Sequence, residues 1–248
     1  MKVVIVIPAR WNSTRFPGKP LAKIHGKEVI KYVWEKANLS KLADDIIVAT
    51  DNKKIKNFCT DSGIKVLVTS KKNNTGTDRI YEVSKKINSD IYCNVQGDEP
   101  LIDPKNIDNV ISCLKKNISK RFEVSTGYSQ AKDLKKFYKN NEITKTVFLE
   151  KLDKTNEAFI FYRGIQSKSL RLKENKLLKH IGLYAYTKSA LKRFHNYKMS
   201  PSEVSQSLEQ MRFIENNEKI ACTAITDSKF AVDFPNDIKK IEAYLKKK

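Results

Sequence analysis

Arg10, Ser13, Thr14, Arg15 and Lys19 fall within one stretch, PARWNSTRFPGKP, residues 8–20. Arginine forks grip phosphate oxygens in bidentate fashion and hydroxyls add donors, so a loop of this make-up suits an anion such as a triphosphate. The stretch holds neither G-x-G-x-x-G nor G-x-x-x-x-G-K-[ST], which excludes the two commonest phosphate-cradling loops. A solvated basic connection is the plainer reading of the same residues.

Carboxylates that could work with these cations follow. NVQGDEP (94–100) sets Asp98 between Gly97 and Pro100, just past an apolar run. A carboxylate held there can bind a hard cation such as Mg2+, which takes one or two carboxylates together with substrate phosphates. A turn aspartate bonded to its own backbone is the alternative. In TGTDR (75–79), Thr77 reads as a helix N-cap, and the free N–H groups of a helix start favour anions. Arg79 in that first turn opposes the helix dipole, so capping alone does not account for it. AVDFPNDI (231–238) puts Asp233 just before a proline-initiated helix, as a cap or as a second metal ligand.

These residues need elements to place them. KVVIVI (2–7), DDIIVAT (44–50), IKVLVT (64–69) and DIYCNVQ (90–96) are apolar runs that read as buried strands. Helical periodicity falls between them in 27–39, in 52–63 with Gly63 at its end, and in 77–88. Such alternation gives βαβ units, so the fold class is α/β, a mainly parallel central sheet with flanking helices. Strands at 122–129, 143–150, 157–162 and 180–187 add a smaller antiparallel subregion, and helices return at 188–195, 202–216 and 235–247. In open sheets of this kind ligands sit beyond the C-terminal ends of the strands, which singles out 8–20, 51–54, 70–79 and 96–100. With no repeat and no Gly/Ser linker, residues 1–248 read as a single domain.

Composition narrows the function classes. The chain of 248 residues is 40% hydrophobic and 31% charged, ordinary for a soluble domain. No apolar run approaches the roughly 18–20 residues of a membrane helix. The N-terminus shows no small-residue cleavage site, so a cytoplasmic protein that meets no membrane is expected. Cys59, Cys93, Cys113 and Cys222 form no C-x-x-C pair, and His25, His180 and His195 have no ligand spacing. Structural zinc and a disulfide framework are therefore not expected. The net charge of +20 is mostly lysine, spread singly or in pairs along the helices, without an arginine-rich arm. It reads as solvated lysine that attracts an anionic substrate, and no nucleic-acid partner is expected.

Taken in order, P-A-R-x-x-S-T-R-x-P-G-K-P, T-G-T-D-R, N-V-Q-G-D-E-P and V-D-x-P-x-D resemble the motifs of the 3-deoxy-D-manno-octulosonate cytidylyltransferases, the CMP-Kdo synthetases. The resemblance runs nearly end to end and implies a Rossmann-like nucleotidyltransferase fold. It implies Mg2+-dependent transfer of CMP from CTP to an acidic sugar for surface polysaccharide or lipopolysaccharide synthesis. It assigns Arg10, Ser13, Arg15 and Lys19 to the triphosphate, with Arg15, Lys19 and Asp98 as the catalytic set. Gln96 and the backbone near Pro8–Arg10 would read cytosine, with Thr75, Gly76, Thr77 and Arg79 beside the nucleotide. Asp98 and Asp233 would hold Mg2+. A homodimer is implied too, with a nucleotide-binding half over about 1–120 and an acceptor-binding and dimerisation subregion over about 121–230.

The acceptor half departs further from the family pattern. FYRGIQSKSL keeps Arg163 where the family has F-S-R, but Tyr162 replaces the serine and the following I-P is absent. KHIGLYAY (179–186) keeps His180, Gly182 and Tyr184, and SPSEVSQSLEQMR (200–212) keeps Glu209 and Gln210. Gln206 stands where the family more often has an acid. By resemblance Arg163 binds the acceptor carboxylate, and His180, Tyr184, Glu209 and Gln210 complete that site. The leading acceptor is 3-deoxy-D-manno-octulosonate, with a nonulosonic acid or a phosphonate as the second reading. A basic nucleic-acid-binding protein on a degenerate nucleotidyltransferase fold is a third, opposed by the intact Asp98, Asp233, Arg15 and Lys19.

Overall fold

The first apolar run becomes β1 (Val3–Ala9), buried at every position except the half-buried Pro8. It belongs to a computed structural model that describes residues 1–130, 143–150, 156–163, 178–227 and 230–247. The chain forms two compact units, Met1–Asp108 with Ser228–Lys248, and Asn109–Asp227.

In the first unit a two-residue hairpin, β2 (Lys23–Ile24) and β3 (Lys27–Glu28), leads into helix α1 (Val29–Ala37). Helix α1 buries Val29, Ile30, Val33 and Ala37, a stripe at helical spacing. Strand β4 (Asp45–Thr50) then pairs parallel with β1, setting Ile5 against Ile46. Asn52 caps helix α2 (Lys53–Asp61) by accepting from the Lys54 N–H at 2.8 Å. Strand β5 (Val66–Val68) joins the outer side of β4, helix α3 (Gly76–Lys86) follows, and β6 (Ile91–Asn94) pairs parallel with β1 on its other side. The order β5-β4-β1-β6 is thus all parallel, with the crossover helices the sequence pattern anticipates. The C-terminal segment returns to this unit, and Val232 and Ile241 pack with Ile24 and Val29 in one apolar cluster.

Two elements lie where the pattern above names none. Helix α4 (Pro104–Asn117) buries Ile107, Val110, Ile111 and Leu114, and the Asp103 carboxylate accepts from the Lys105 N–H at its start. Strand Ile220–Ala224 is too short for its apolar content to stand out beside the preceding helix.

The second unit is mainly antiparallel. It contains β7 (Val124–Gln130), β8 (Lys145–Glu150), β9 (Asn156–Tyr162), β10 (Leu178–Thr187) and β11 (Ile220–Ala224). They pair in the order β10-β7-β11-β9-β8, and β8 also pairs with β10, so the ring closes on itself. Only β7 with β11 is parallel. The expected helix over 202–216 divides into Pro201–Gln206 and Met211–Glu215, because Ser207 takes the left-handed conformation at φ 52°. Arg212 spans this break, clamping the Glu203 carboxylate with two guanidinium nitrogens while lying over the Phe194 ring at 3.9 Å. Both partners of the pair are buried. Removing one partner of a buried pair strands the other charge, so Glu203→Ala should cost about 3–5 kcal/mol. Urea denaturation of the variant checks this.

Candidate active site

Strands β1 and β6 run side by side in parallel register, Val6 against Asn94, and their loops leave together. A Cβ on Gly97 would lie 2.5 Å from the Pro8 carbonyl oxygen, so no side chain fits there. This close approach sets Asp98 beside the start of the 8–20 loop. The Asp98 carbonyl in turn accepts from the Val232 N–H at 2.8 Å, which draws in the segment before the C-terminal helix Pro235–Leu245.

The basic loop folds onto these carboxylates. Gly18 takes φ +73°, and a Cβ there would press on the Trp11 ring at 3.0 Å. The Gly18 and Ser13 N–H groups both donate to the Trp11 carbonyl, and the Lys54 ammonium covers the Trp11 ring at 4.9 Å. Lys19, in a single 3-10 turn (Lys19–Leu21), donates to the Asp98 carboxylate and, at 3.1 Å, to the Val232 carbonyl. Its Nζ also lies 4.0 Å from Asp233 Oδ1. Arg15 donates to that same Asp233 oxygen at 2.6 Å, and its guanidinium stands over the Phe234 ring at 5.2 Å. Arg10 and Ser13 sit on the same loop, Arg10 exposed and Ser13 half-buried.

Asp233 is not the helix cap that one sequence reading allows. The Asp237 carboxylate fills that role, accepting from the N–H groups of Asp233 at 3.1 Å and Phe234 at 2.8 Å. The Asp233 carboxylate is left for Arg15 and Lys19. Asp98 and Asp233 therefore converge on one cationic centre with hard oxygen donors. Among the described residues no group of three His, Cys, Asp or Glu side chains gathers as a metal cage. Two carboxylates with room for substrate oxygens suit Mg2+, which keeps waters and phosphates in its shell.

The start of α3 corrects a second expectation. Thr75, not Thr77, is the N-cap: its hydroxyl accepts from the Asp78 N–H at 3.0 Å, and Thr77 is fully buried. The Arg79 guanidinium is likewise buried, donating to Asp51 Oδ2 at 2.8 Å and to the Thr69 hydroxyl. These partners explain a cation in a first turn, and they commit Arg79 to holding the helix start against β4 and β5. Gly76 opens the helix, and Gln96 is half-buried between β6 and Gly97.

The second unit gathers a different set. A bulge in β10 between Ile181 and Tyr184 turns His180 and Tyr184 to ring centroids 5.3 Å apart. The Thr126 hydroxyl donates to the Leu183 carbonyl at 2.9 Å and lies 3.0 Å from His180 Nε2. Phe161 packs edge-on against the His180 ring at 4.9 Å. Burial, with the Arg163 charge adding to it, pushes the imidazole down to about 3. Burial pushes the Tyr184 hydroxyl up, with Tyr186 and Glu209 acting in the same direction. That hydroxyl meets no partner in hydrogen-bonding geometry among the described residues, although Thr126 is its neighbour. Arg163 is exposed, and its backbone N–H donates to Gln206 Oε1 at 2.9 Å. Gln210 is buried at the start of helix Met211–Glu215. The Gly164–Gln166 departure lies outside the described residues.

Residue types alone do not reveal Phe234, Thr126 or the Gln206 contact. For Phe234, the only signal is an aromatic directly after Asp233 in VDFPND.

A basic loop after β1 thus meets one carboxylate beyond β6 and another just before the C-terminal helix, an arrangement suited to a nucleotide's phosphates. The family model described as cytidylyltransferase matches residues 4–220, and the chain belongs to that family. The 3-deoxy-manno-octulosonate cytidylyltransferase of Geobacter metallireducens (strain ATCC 53774 / DSM 7210 / GS-15) is 37% identical, over 97% of this chain and 96% of that protein. The 8-amino-3,8-dideoxy-manno-octulosonate cytidylyltransferase of Shewanella pealeana (strain ATCC 700345 / ANG-SQ1) is 38% identical, over 99% of both chains. A solved CMP:2-keto-3-deoxy-manno-octonic acid synthetase in complex with CTP superposes with a TM-score of 0.89 at 30% identity, over 100% of this chain and 99% of that one.

The depressed His180 predicts an acid-labile fold. Its folded pKa of about 3 lies below the ordinary 6.5, so the unfolded chain binds the extra proton between those values. The contribution is full above 6.5 and is lost as pH falls toward 3, by up to about 1.4 kcal/mol per pH unit. His180→Gln should flatten the acid limb of stability against pH. In the unaltered protein the His180 imidazole resonance should not titrate between about pH 5 and 8.

Proposed function

We propose that this cytidylyltransferase transfers CMP from CTP to 3-deoxy-D-manno-octulosonate, using Mg2+ as its resident cation. The observation that carries the reading is the cluster in which Lys19 and Arg15 meet Asp98 and Asp233 at the ends of β1 and β6. An acceptor oxygen attacks the α-phosphorus, the bond to the bridging oxygen breaks, and pyrophosphate leaves with the electron pair. Charge grows on the phosphate oxygens, so positioned cations matter more than covalent help. Asp98 and Asp233 would hold Mg2+, which when bound would supply Lewis-acid stabilisation of those oxygens.

Arg10, Ser13, Arg15 and Lys19 bind the triphosphate in this reading. The helix start at Thr75–Thr77 lies beside the nucleotide, and Gln96 with the Pro8–Arg10 backbone reads cytosine. Arg79 serves by fixing the helix start. Within the second unit Arg163 pairs with the acceptor carboxylate, Tyr184 and Gln210 meet sugar hydroxyls, and Glu209 orients them. His180, kept neutral, offers a hydrogen bond without adding charge. The parallel first unit is read as a Rossmann-like nucleotidyltransferase core, and the working state as a cytoplasmic homodimer, which sedimentation checks.

Pyrophosphate release with CTP is the direct test, run against 3-deoxy-D-manno-octulosonate, its 8-amino-3,8-dideoxy analogue, nonulosonic acids and phosphonates. The identity shared with the Shewanella relative makes the 8-amino sugar the specific rival acceptor. Turnover with none of these acids would overturn the reading. Arg15→Ala and Lys19→Ala should each lower kcat/KM by a factor of roughly 10²–10³ with little change in melting temperature. Arg163→Lys keeps the charge but loses the planar fork. It should raise the acceptor KM about tenfold while the CTP KM holds, and equal effects on both substrates would move Arg163 to the nucleotide.

A further inference from the structure

We propose that Asp98 and Asp233 make the site select the metal-complexed nucleotide over the free one, by exchanging partners with Lys19 and Arg15. The inference rests on the reading of this cluster as a CTP site. Two cations and two carboxylates are paired here one for one: Lys19 with Asp98, and Arg15 with Asp233 at 2.6 Å. A triphosphate that takes Lys19 and Arg15 for itself must detach both carboxylates. They would then face phosphate oxygens at close range, a repulsion between like charges. A divalent cation removes that conflict, because the carboxylates gain a new partner as the phosphates gain the ammonium and guanidinium. Free nucleotide breaks two ion pairs and leaves both carboxylates facing phosphate without a cation, whereas the metal complex brings them a cationic partner.

The surroundings fit an exchange. Asp237 already caps the C-terminal helix, so Asp233 can leave Arg15 without uncapping it. The Arg15 and Asp233 side chains are 49% and 40% exposed, so their separation disturbs no core. Arg15 also stands over the Phe234 ring, a second contact for the guanidinium once Asp233 turns away. Lys19 and Asp98 are more sheltered, at 15% and 26%, and the Val232 carbonyl anchors the lysine. Lys19 therefore exchanges in place, and Arg15 moves.

The test measures binding without acceptor, so no turnover intervenes. CTP is titrated calorimetrically into the wild-type protein and into Asp233→Asn, once in EDTA and once in excess Mg2+. The wild type should bind CTP at least about tenfold more tightly with Mg2+. Asp233→Asn should bind metal-free CTP about three- to tenfold more tightly than the wild type and gain less from Mg2+. Metal-free binding by Asp233→Asn that is unchanged or weaker overturns the exchange, as does wild-type affinity that ignores Mg2+. Asp98→Asn is read in the same way should Asp233→Asn not fold. A wild type that binds no CTP in either condition overturns the nucleotide site itself.

Discussion

The ammonium of Lys19 is the point on which the charged cluster of the first unit depends. It is held by the Asp98 carboxylate, the Val232 carbonyl and, at 4.0 Å, Asp233. Those partners come from two distant segments, the loop after β6 and the approach to the C-terminal helix, while Lys19 itself lies in the 3-10 turn after β1. A lone ammonium in a half-sheltered place is costly unless its partners arrive with it. The surrounding backbone meets that requirement through Gly97 pressed against Pro8 and the Val232 N–H bonded to Asp98. The parallel sheet brings the loops together, and the ion pairs then fix how the charges are aimed.

The second unit solves the opposite problem. Around His180 and Tyr184 its polar groups are kept neutral, although elsewhere in the same unit Arg212 and Glu203 form a buried ion pair. His180 is buried among Phe161, Tyr184 and Thr126, where burial and the Arg163 charge both disfavour a charged ring. A neutral imidazole and an un-ionised phenol can orient sugar hydroxyls without competing with Arg163 for a carboxylate. In the reading proposed above, an acceptor that is both polyol and anion would call for such a division: one exposed cation, and a surrounding set that stays uncharged. The closed ring of strands and the β10 bulge supply the rigidity this needs.

Much of this was legible in the residues, for identifiable reasons. Strands buried on both faces are continuous apolar runs, so β1, β4 and β6 announce themselves. The basic loop after β1 stood out because its residue types are unusual after a core strand. Pairings between distant residues were not. Nothing in VDFPND says that Asp237, and not Asp233, accepts the helix-start N–H groups, and only the fold sets Arg15 against a residue 218 positions away. Arg79 looked like a ligand because its partner Asp51 lies on another loop. The helix over 202–216 read as continuous because no glycine or proline marks the left-handed Ser207. Helix α4 carries a clear i, i+3, i+4, i+7 stripe in Ile107, Val110, Ile111 and Leu114, and was legible in the residues too.

The excess of lysine takes on a definite place once the site is seen. Within the cluster the cations and carboxylates nearly balance, so the net charge of +20 arises elsewhere. Lys53, Lys54 and Lys56 on α2, Lys85 and Lys86 on α3, and Lys239 and Lys240 near the C-terminus are exposed on solvent faces of their helices. Charges so dispersed give a long-range field without the geometry that base or phosphate-backbone recognition requires. Such a field raises the encounter rate with any anion and is screened within about 10 Å at ordinary salt. Selection among anions must then be made at close range, where an ion pair has to be surrendered before a new one forms. In the proposed reading attraction and discrimination fall to different lysines: the dispersed ones draw anions in, and Lys19 takes part in selecting among them.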